Sequence, residues 1–297
     1  MDIIALAGSR HATQDYGALR CVGSFNNAIN FLTENAWLLT LHRAGSGLSP
    51  MGWQLGARDF DRVRRAVPSV RRCAFSAAGI TLDALLVRPA AAARDLALAP
   101  RAAIADRPLT AVLQRCTAQC GLHGELGRLV RQPLTPEPAA LVRDFSRWLR
   151  GDTVDWHQAL GKGPGLTPSN DDTLLGLLLS AHLDSRIPVS GLAPFFAQTP
   201  PLDALTTLVS AHYLRYAEQG LFATPLHALA QGLRAPEGVS AAVAAVLSLG
   251  HFSGADTLLG VWLGVTTINA LCGARCEHEG RIADPAGRYD FNYGCKP

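Results

Sequence analysis

The chain has 297 residues, of which 48% are apolar and 17% are charged. Its 27 basic and 24 acidic residues leave a formal net charge of +3, which is too small to indicate a nucleic-acid-binding protein. The length and apolar content predict a globular protein with a large core, divided into two domains.

The sequence also predicts a cytoplasmic location without a membrane partner. The N-terminus, M-D-I-I-A-L-A-G, carries an acid where a signal peptide needs a base, and its apolar stretch is short. The longest apolar runs, around residues 174–183 and 258–265, are shorter than a membrane span. The sequence has seven cysteines, an odd number, and no predicted export signal, which favours free thiols.

Residues 1–105 are predicted to form a β-rich N-terminal domain. Residues 37–43 and 70–83 have the composition of strands and lie between turn-forming residues. Residues 24–34 allow a second interpretation, a short helix, because Phe25, Ile29 and Leu32 recur at helical spacing. The stretch from 89 to 108, rich in Ala, Arg and Pro, marks the predicted domain boundary.

Residues 106–297 are predicted to form a mainly helical domain, which makes the fold class α+β. The two helices that start at Asp172 and Asp256 are apolar on nearly every side, so we expect them at the centre of this domain. Gly176, Gly260 and Gly264 lie inside them at a cost of about 1 kcal/mol each relative to Ala, which close contact between helices would explain. The predicted helices cover residues 109–119, 136–150, 172–183, 203–218, 224–232, 240–249 and 256–271.

A glycine- and proline-rich loop, G-K-G-P-G-L-T-P-S-N-D-D at residues 161–172, leads into the first of these two helices. Glycine reaches φ > 0 and proline restricts φ, so the loop is predicted to hold a defined shape. Thr167 or Ser169 is expected to cap the helix, with Asp171 and Asp172 in its first turn. The unpaired N–H groups of a helix N-terminus favour an anionic ligand.

Two sequence echoes support a composite pocket. S-N-D-D-T-L-L-G at 169–176 and S-G-A-D-T-L-L-G at 253–260 share six of eight residues. The preceding G-P-G-L-T-P at 163–168 is similar to G-S-G-L-S-P at 45–50. Two capped helices that begin near one another would form a shared binding pocket. The alternative is that the repeated motif only starts a buried helix.

The residue types favour a ligand that carries both an oxyanion and an amide group. Main-chain N–H groups and the side chains of Lys162, Thr167 and Ser169 donate hydrogen bonds, whereas ionised carboxylates accept them. Several carboxylates would repel a simple phosphate, so carbamoyl groups and small amidated acids fit better. A Mg²⁺ ion held by Asp171 and Asp172 beside a phosphate is the alternative. A purely structural role, complementing the helix dipole, is equally open for Asp171.

The predicted site combines this loop with the second helix start. His251 precedes that start by two residues and is a candidate for proton transfer, although a structural role is the alternative. Cys272, Cys276, Glu277 and His278 have only weak metal-site spacing, so no metal ligand is assigned. The predicted ligand-binding residues are Lys162, Gly163, Gly165, Thr167, Ser169, Asn170, Asp171, Ser253, Gly254 and Asp256, and the candidate catalytic residues are Asp172 and His251.

The motif at 161–172, together with T-T-L-V-S at 206–210 and G-H-x-S-G-x-D at 250–256, resembles a bacterial family, the AllH-type subunit of oxamate carbamoyltransferase from anaerobic allantoin breakdown. The segments at 24–30 and 45–52 are similar to that family's opening. Asn170 departs from the pattern, since glycine is expected there.

The resemblance implies a cytoplasmic component of a multi-subunit transferase in purine catabolism, beside an FdrA-like subunit of acyl-CoA-synthetase type. It implies carbamoyl transfer between oxamate and phosphate. The residues themselves predict no cofactor, with Mg²⁺ at the loop carboxylates as the alternative. The resemblance leaves open which subunit holds the reactive centre. A non-catalytic scaffold and a metal-assisted hydrolase remain the alternatives.

Overall fold

The computed structural model describes residues 2–99 and 102–279. Strands occupy the N-terminal part and helices the C-terminal part, so the predicted α+β class is confirmed. The strands are β1 Asp2–Ile4, β2 Ala7–Ser9, β3 Gly17–Ser24, β4 Ala28–Thr33, β5 Leu38–Arg43, β6 Gly52–Leu55, β7 Cys73–Ser76, β8 Gly79–Leu82, β9 Leu85–Arg88, β10 Ala93–Arg94, β11 Gln119–Cys120 and β12 Gly124–Glu125. The helices are α1 Ala57–Ala66, α2 Asp106–Leu113, α3 Leu126–Arg131, α4 Pro136–Leu149, α5 Ser169–Leu183, α6 Leu208–Glu218, α7 Thr224–Gly232, α8 Val239–Leu247 and α9 Ser253–Glu279.

The N-terminal strands form one sheet that curls back on itself, in the order β1-β9-β8-β7-β3-β4-β5-β6-β2-β10. β1 lies at one end of this order and pairs with β9, and β2 lies near the other end and pairs with β6. The chain runs directly from β1 into β2, which brings the two ends of the sheet together. Closure of this kind protects strand edges that would otherwise be exposed. Ile29, Phe31 and Leu41 fill the interior, and α1 covers it with Phe60 and Val63.

The alternative helix at 24–34 is wrong. Residues 28–33 form β4, which pairs with β3 on one side and with β5 on the other. Ile29 lies opposite Leu41 and both side chains are fully buried. Neighbouring strands on both sides therefore satisfy the backbone of this segment, and this tertiary pairing overrides the helical spacing of its apolar residues.

Helices α5 and α9 form the centre of the helical part, as predicted, and they cross at their glycines. A Cβ atom at Gly260 would overlap the carbonyl oxygen of Thr173, and one at Gly176 would overlap the carbonyl oxygen of Thr257. A Cβ at Gly264 would overlap the Ser180 hydroxyl. The expected close helix–helix contact is confirmed, and only glycine permits it.

Several predicted helix ends differ from the observed ones, since the helix expected at 172–183 is α5, Ser169–Leu183, and the helix expected at 256–271 is α9, Ser253–Glu279. The helix expected at 109–119 is α2, Asp106–Leu113, after which the chain turns into the small β11–β12 hairpin. The helix expected at 203–218 is split into a short 3-10 turn, Leu202–Ala204, and α6. Thr207 causes the second break, because its hydroxyl accepts a hydrogen bond from the Ser210 N–H and starts α6 there.

The apolar core lies in two main clusters, one inside the curled sheet and one among the helices. A smaller cluster of Leu38, Met51, Tyr216 and Leu221 connects the sheet with α6. The predicted boundary between residues 105 and 106 falls at the start of α2, and the division into two domains stays a prediction.

Residues Ser253–Gly273 of α9 are long and apolar enough to cross a membrane. The expectation that every apolar run is too short is therefore wrong for this helix. However, 67% of the qualifying window is buried inside the protein, as in a core helix. The cysteines Cys21, Cys73, Cys116, Cys120 and Cys272 are free, as expected, whereas the side chains of Cys276 and Cys295 lie outside the described part.

Candidate functional site

A cavity of about 880 Å³ lies between the curled sheet and the helical part. The sheet contributes the end of β5 and the glycine turn at 45–47. The helical part contributes Thr167 and Asp172 near the start of α5, and Ser253 at the start of α9. Other lining residues include Asn27, Ser49, Gln54, Leu175, Tyr213, Thr224, Pro225, Leu226, Ser248, Gly250 and Thr257.

The starts of α5 and α9 lie next to each other at the wall of this cavity. The Thr167 hydroxyl donates to Oδ2 of Asp172 at 2.9 Å and lies 2.8 Å from the Ser253 hydroxyl. The expected proximity of the two helix starts is confirmed by these contacts. The assignment of these residues to a ligand stays a prediction.

The predicted helix caps are wrong. Pro168 occupies the N-cap position of α5, and no side chain caps this helix. The Thr167 hydroxyl turns instead toward Asp172 and Ser253. The buried Ser169 hydroxyl has no partner at hydrogen-bond geometry, yet it lies close to Asp256, whose pKa is raised by burial and lowered in part by the Gly121 N–H and this hydroxyl.

The glycine loop supplies its own acceptors to the first turn of α5. The Asn170 N–H donates to the Lys162 carbonyl at 3.1 Å, and the Asp171 and Asp172 N–H groups donate to the Pro168 carbonyl. These three donors are therefore engaged within the protein. An anion could accept hydrogen bonds from these N–H groups only after those internal bonds were broken.

Most of the loop residues assigned to the site face away from the cavity. Gly163 and Gly165 adopt φ of 113° and 96°, the left-handed region that favours glycine, and neither lines the cavity. The exposed Lys162 pairs with Glu137 at 2.8 Å. Asn170 donates to the Ala159 carbonyl at 3.0 Å, and its Oδ1 lies 3.0 Å from Nε2 of His123.

Asp171 is held by donors of the protein itself. It accepts from the Gly161 N–H at 2.8 Å, from the Ser210 hydroxyl at 2.6 Å and from the Thr206 hydroxyl. Burial raises the pKa of this carboxyl, and the three donors act in the opposite direction. The geometry favours the structural interpretation of Asp171, because its carboxylate ties the glycine loop to α6.

At the second helix start, only Ser253 reaches the cavity among the predicted residues. Both carboxylate oxygens of Asp256 lie 3.2 Å from the Gly121 N–H, on the side of the β11–β12 hairpin. A Cβ at Gly254 would overlap the Val246 carbonyl, so this glycine serves packing against α8. The His251 ring is exposed, contacts Phe252 edge-on and does not line the cavity.

Sequence reasoning missed the polar side chains that the sheet and α6 bring to the cavity. Nε2 of buried His42 lies 2.7 Å from the Ser49 hydroxyl, and burial lowers the pKa of this histidine to about 4. Burial raises the pKa of Tyr213 to about 12, and the Ser49 hydroxyl offsets part of this rise. The echo at 45–50 was the available signal, because it contains Ser49 and the glycine turn that lines the cavity.

A magnesium site formed jointly by Asp171 and Asp172 stays a prediction. The two carboxylates project in different directions, one toward α6 and the other toward Thr167 and Ser253. Among the side chains described for residues 2–99 and 102–273, no group of three or more His, Cys, Asp or Glu could hold a metal ion. The side chains of Cys276, Glu277 and His278 lie outside the described part.

Of the three buried aspartates at the helix starts, Asp172 is the one whose ionisation the surroundings oppose most strongly. Burial raises its pKa well above the ordinary value of 3.8, Thr167 and Ser253 lower it, and the carboxyls of Asp256 and Asp171 raise it further. A group whose pKa is higher in the folded than in the unfolded state contributes its full stabilisation at pH values below the unfolded pKa. That stabilisation is lost as the pH rises through the folded pKa.

We therefore expect Asp172→Asn, which imitates the protonated acid, to be more stable than the wild type at neutral pH. The advantage should shrink as the pH falls toward 3.8, because the wild type is then protonated in both states. Thermal unfolding between pH 4 and pH 8 measures this effect. The same difference in Tm at every pH would contradict it.

A family model described as oxamate carbamoyltransferase subunit AllH matches residues 159–265. Over these residues the chain is similar to the AllH family. The match contains the glycine loop, both copies of the S-x-x-D-T-L-L-G motif and helices α5 to α8. It supports the resemblance drawn from the motif at 161–172, and it covers well under half of the chain. No solved structure matches the chain.

Proposed function

We propose that the protein is a subunit of an oxamate carbamoyltransferase-like complex, and that its cavity binds the small carbamoyl or oxyanion ligand. One observation carries the proposal. The segment that matches the AllH family contains both helix starts that meet at the cavity wall, joined through Thr167 and Ser253.

The charges at the cavity suit a small ligand with two different ends. Among the described lining residues, Asp172 is the one acid and Arg43 the one permanently charged base. Arg43 forms an ion pair with Asp61 while bordering the cavity. A ligand with an N–H group at one end and an anionic oxygen at the other matches this pair. The cavity would act by positioning the ligand and stabilising developing charge.

The wider role follows from the resemblance. We propose a partner subunit of the FdrA-like, acyl-CoA-synthetase type, a cytoplasmic location and a place in allantoin or purine catabolism. The scaffold alternative has one observation in its favour: the apolar side chains of Ile4 and Leu6 at the start of the sheet are 64% and 62% exposed. A scaffold would bind a partner protein without binding a small ligand.

The function is tested by co-purifying the full chain with the products of neighbouring genes. We expect the purified assembly to exchange a carbamoyl group between oxamate and phosphate. Asp172→Ala should lower that activity by roughly 100-fold, the scale of losing one well-placed polar group, while the assembly still forms. Asp203→Ala is the matched control, because Asp203 is an exposed acid paired with Arg215 on the helical part.

The outcomes separate the alternatives. Normal assembly without any carbamoyl exchange or oxamate binding would support the scaffold. Activity that requires added Mg²⁺ and that hydrolyses the ligand without transfer would support the metal-assisted hydrolase. Unchanged turnover in Asp172→Ala would remove Asp172 from the site.

A further inference from the structure

Helices α5 and α9 are related by a local two-fold arrangement. The repeated motif places Thr173 and Gly176 of α5 at the positions of Thr257 and Gly260 of α9. Their contacts are reciprocal, since Gly176 lies against the Thr257 carbonyl and Gly260 lies against the Thr173 carbonyl. Exchanging the two helices would therefore reproduce the same packing.

The same exchange relates the polar residues at the two helix starts. The Ser253 hydroxyl of α9 lies 2.8 Å from the Thr167 hydroxyl that donates to Asp172 of α5, and the Ser169 hydroxyl of α5 lies beside Gly121, whose N–H donates to Asp256 of α9. Burial raises the pKa of both carboxyls, and the serine of the opposite helix lowers each of them in part. Each aspartate thus faces the serine of the other helix. The molecule thus contains two half-sites at corresponding positions of the repeated motif, which we name the Asp172 half-site and the Asp256 half-site.

The two half-sites differ in what occupies them. In the Asp256 half-site, the main-chain N–H of Gly121 donates to the carboxylate and lies 3.2 Å from each oxygen. The β11–β12 hairpin packs closely here, because a Cβ at Gly121 would overlap the Ser169 hydroxyl. A planar amide N–H therefore fills the Asp256 half-site.

The Asp172 half-site is open to the cavity. Asp172, Thr167 and Ser253 all line it. Within the part of the chain that the structure describes, no main-chain N–H donates to the Asp172 carboxylate, and its hydroxyl donor is Thr167. In the Asp172 half-site, a ligand in the cavity can therefore occupy the position that the Gly121 N–H occupies in the Asp256 half-site.

We propose that Asp172 accepts a hydrogen bond from a planar amide or carbamoyl –NH₂ of the ligand, as Asp256 does from the peptide N–H of Gly121. This assignment rests on the proposed function, which puts the ligand in the cavity. It makes Asp172 the residue that distinguishes an amide from a carboxylate at that end of the ligand. It also leaves Asp256 with an internal partner and no contact with the ligand.

The test compares two ligands of similar size, oxamate and oxalate, which differ in having an amide or a second carboxylate. Titration calorimetry on the full-length wild type, at a pH high enough to ionise Asp172, should show oxamate binding at least about 10-fold tighter than oxalate, since a carboxylate repels the Asp172 carboxylate and offers it no N–H. In Asp172→Asn the ratio of the two affinities should fall by about 10-fold or more, because the repulsion is removed. Asp203→Asn, with the same change of charge at an exposed position, should keep the wild-type ratio.

Each result has one interpretation. If oxamate and oxalate both bind and Asp172→Asn leaves their ratio unchanged, the assignment of the –NH₂ to Asp172 is wrong while the cavity remains the ligand site. If the wild type prefers oxalate, the assignment is likewise overturned. If neither ligand binds to the wild type, the proposed function itself fails, and the assignment fails with it.

Discussion

Replacing Gly260 by alanine should destabilise the protein by about 3 kcal/mol, the upper part of the range for overpacking a core. The added methyl group would overlap the Thr173 carbonyl and would lie 3.0 Å from the Gly176 Cα. Both obstacles are backbone atoms of a helix that is buried along nearly its whole length, so neither can move aside at low cost. The helices would have to separate.

Thermal unfolding measures this loss, and a drop in Tm of roughly 6–12 °C corresponds to it. Gly273→Ala is the matched control because Gly273 belongs to the same helix, and a methyl group added there would meet no atom within 4 Å. Alanine favours a helix by about 1 kcal/mol over glycine, so this variant should equal or exceed the wild type in Tm. Equal losses in both variants would show that the close crossing does not stabilise the fold.

The second large effect is expected for Asp171→Ala, which should lose about 3 kcal/mol or more of stability. The substitution leaves the Gly161 N–H and the hydroxyls of Thr206 and Ser210 without their acceptor. A buried donor left unpaired costs about 1–3 kcal/mol, which applies in full to the Ser210 hydroxyl, whereas Gly161 and Thr206 are partly accessible to water. Relief of the carboxylate's own desolvation offsets part of this cost, which keeps the expected total below the full sum.

Urea unfolding with the slope m held common to all variants measures the change. Asp171→Asn should lose less than Asp171→Ala, because the amide keeps one acceptor oxygen and the two hydroxyls can reorient. Asp203→Ala, an exposed ion-pair partner of Arg215, should change stability by no more than about 1 kcal/mol. If Asp171→Ala folds as stably as the wild type and loses ligand affinity instead, Asp171 belongs to the binding site and the structural interpretation is wrong.

These two experiments separate packing from binding at neighbouring residues. Asp171 and Asp172 are adjacent in sequence, and both were assigned to the ligand from sequence alone. Successive residues of an α-helix point about 100° apart, so only one of the two can face the cavity. The loss expected for Asp171→Ala is a loss of fold, whereas the loss expected for Asp172→Ala is a loss of ligand.

The order of a β-rich part followed by a helical part, and the central helix pair, followed from local information. Apolar residues on every side of 172–183 and 256–271 require burial in any fold, and glycine within such helices requires a close neighbour. The duplicated S-x-x-D-T-L-L-G motif then indicated that the two helices meet each other. These properties depend on residues within a single helix segment, which is why the sequence alone determined them.

The composition of the cavity was decided by tertiary structure. His42 and Tyr213 are separated by more than half of the chain, and they line the same cavity because the curled sheet packs against α6. The glycine turn that reaches the cavity is the one at 45–47, while the more distinctive loop at 161–165 folds over the start of α5, where the Lys162 carbonyl accepts from the Asn170 N–H. The sequence contains two similar turns and two aspartates at corresponding motif positions. Which member of each pair a ligand can reach depends on what packs over it, and no local sequence pattern predicts that packing.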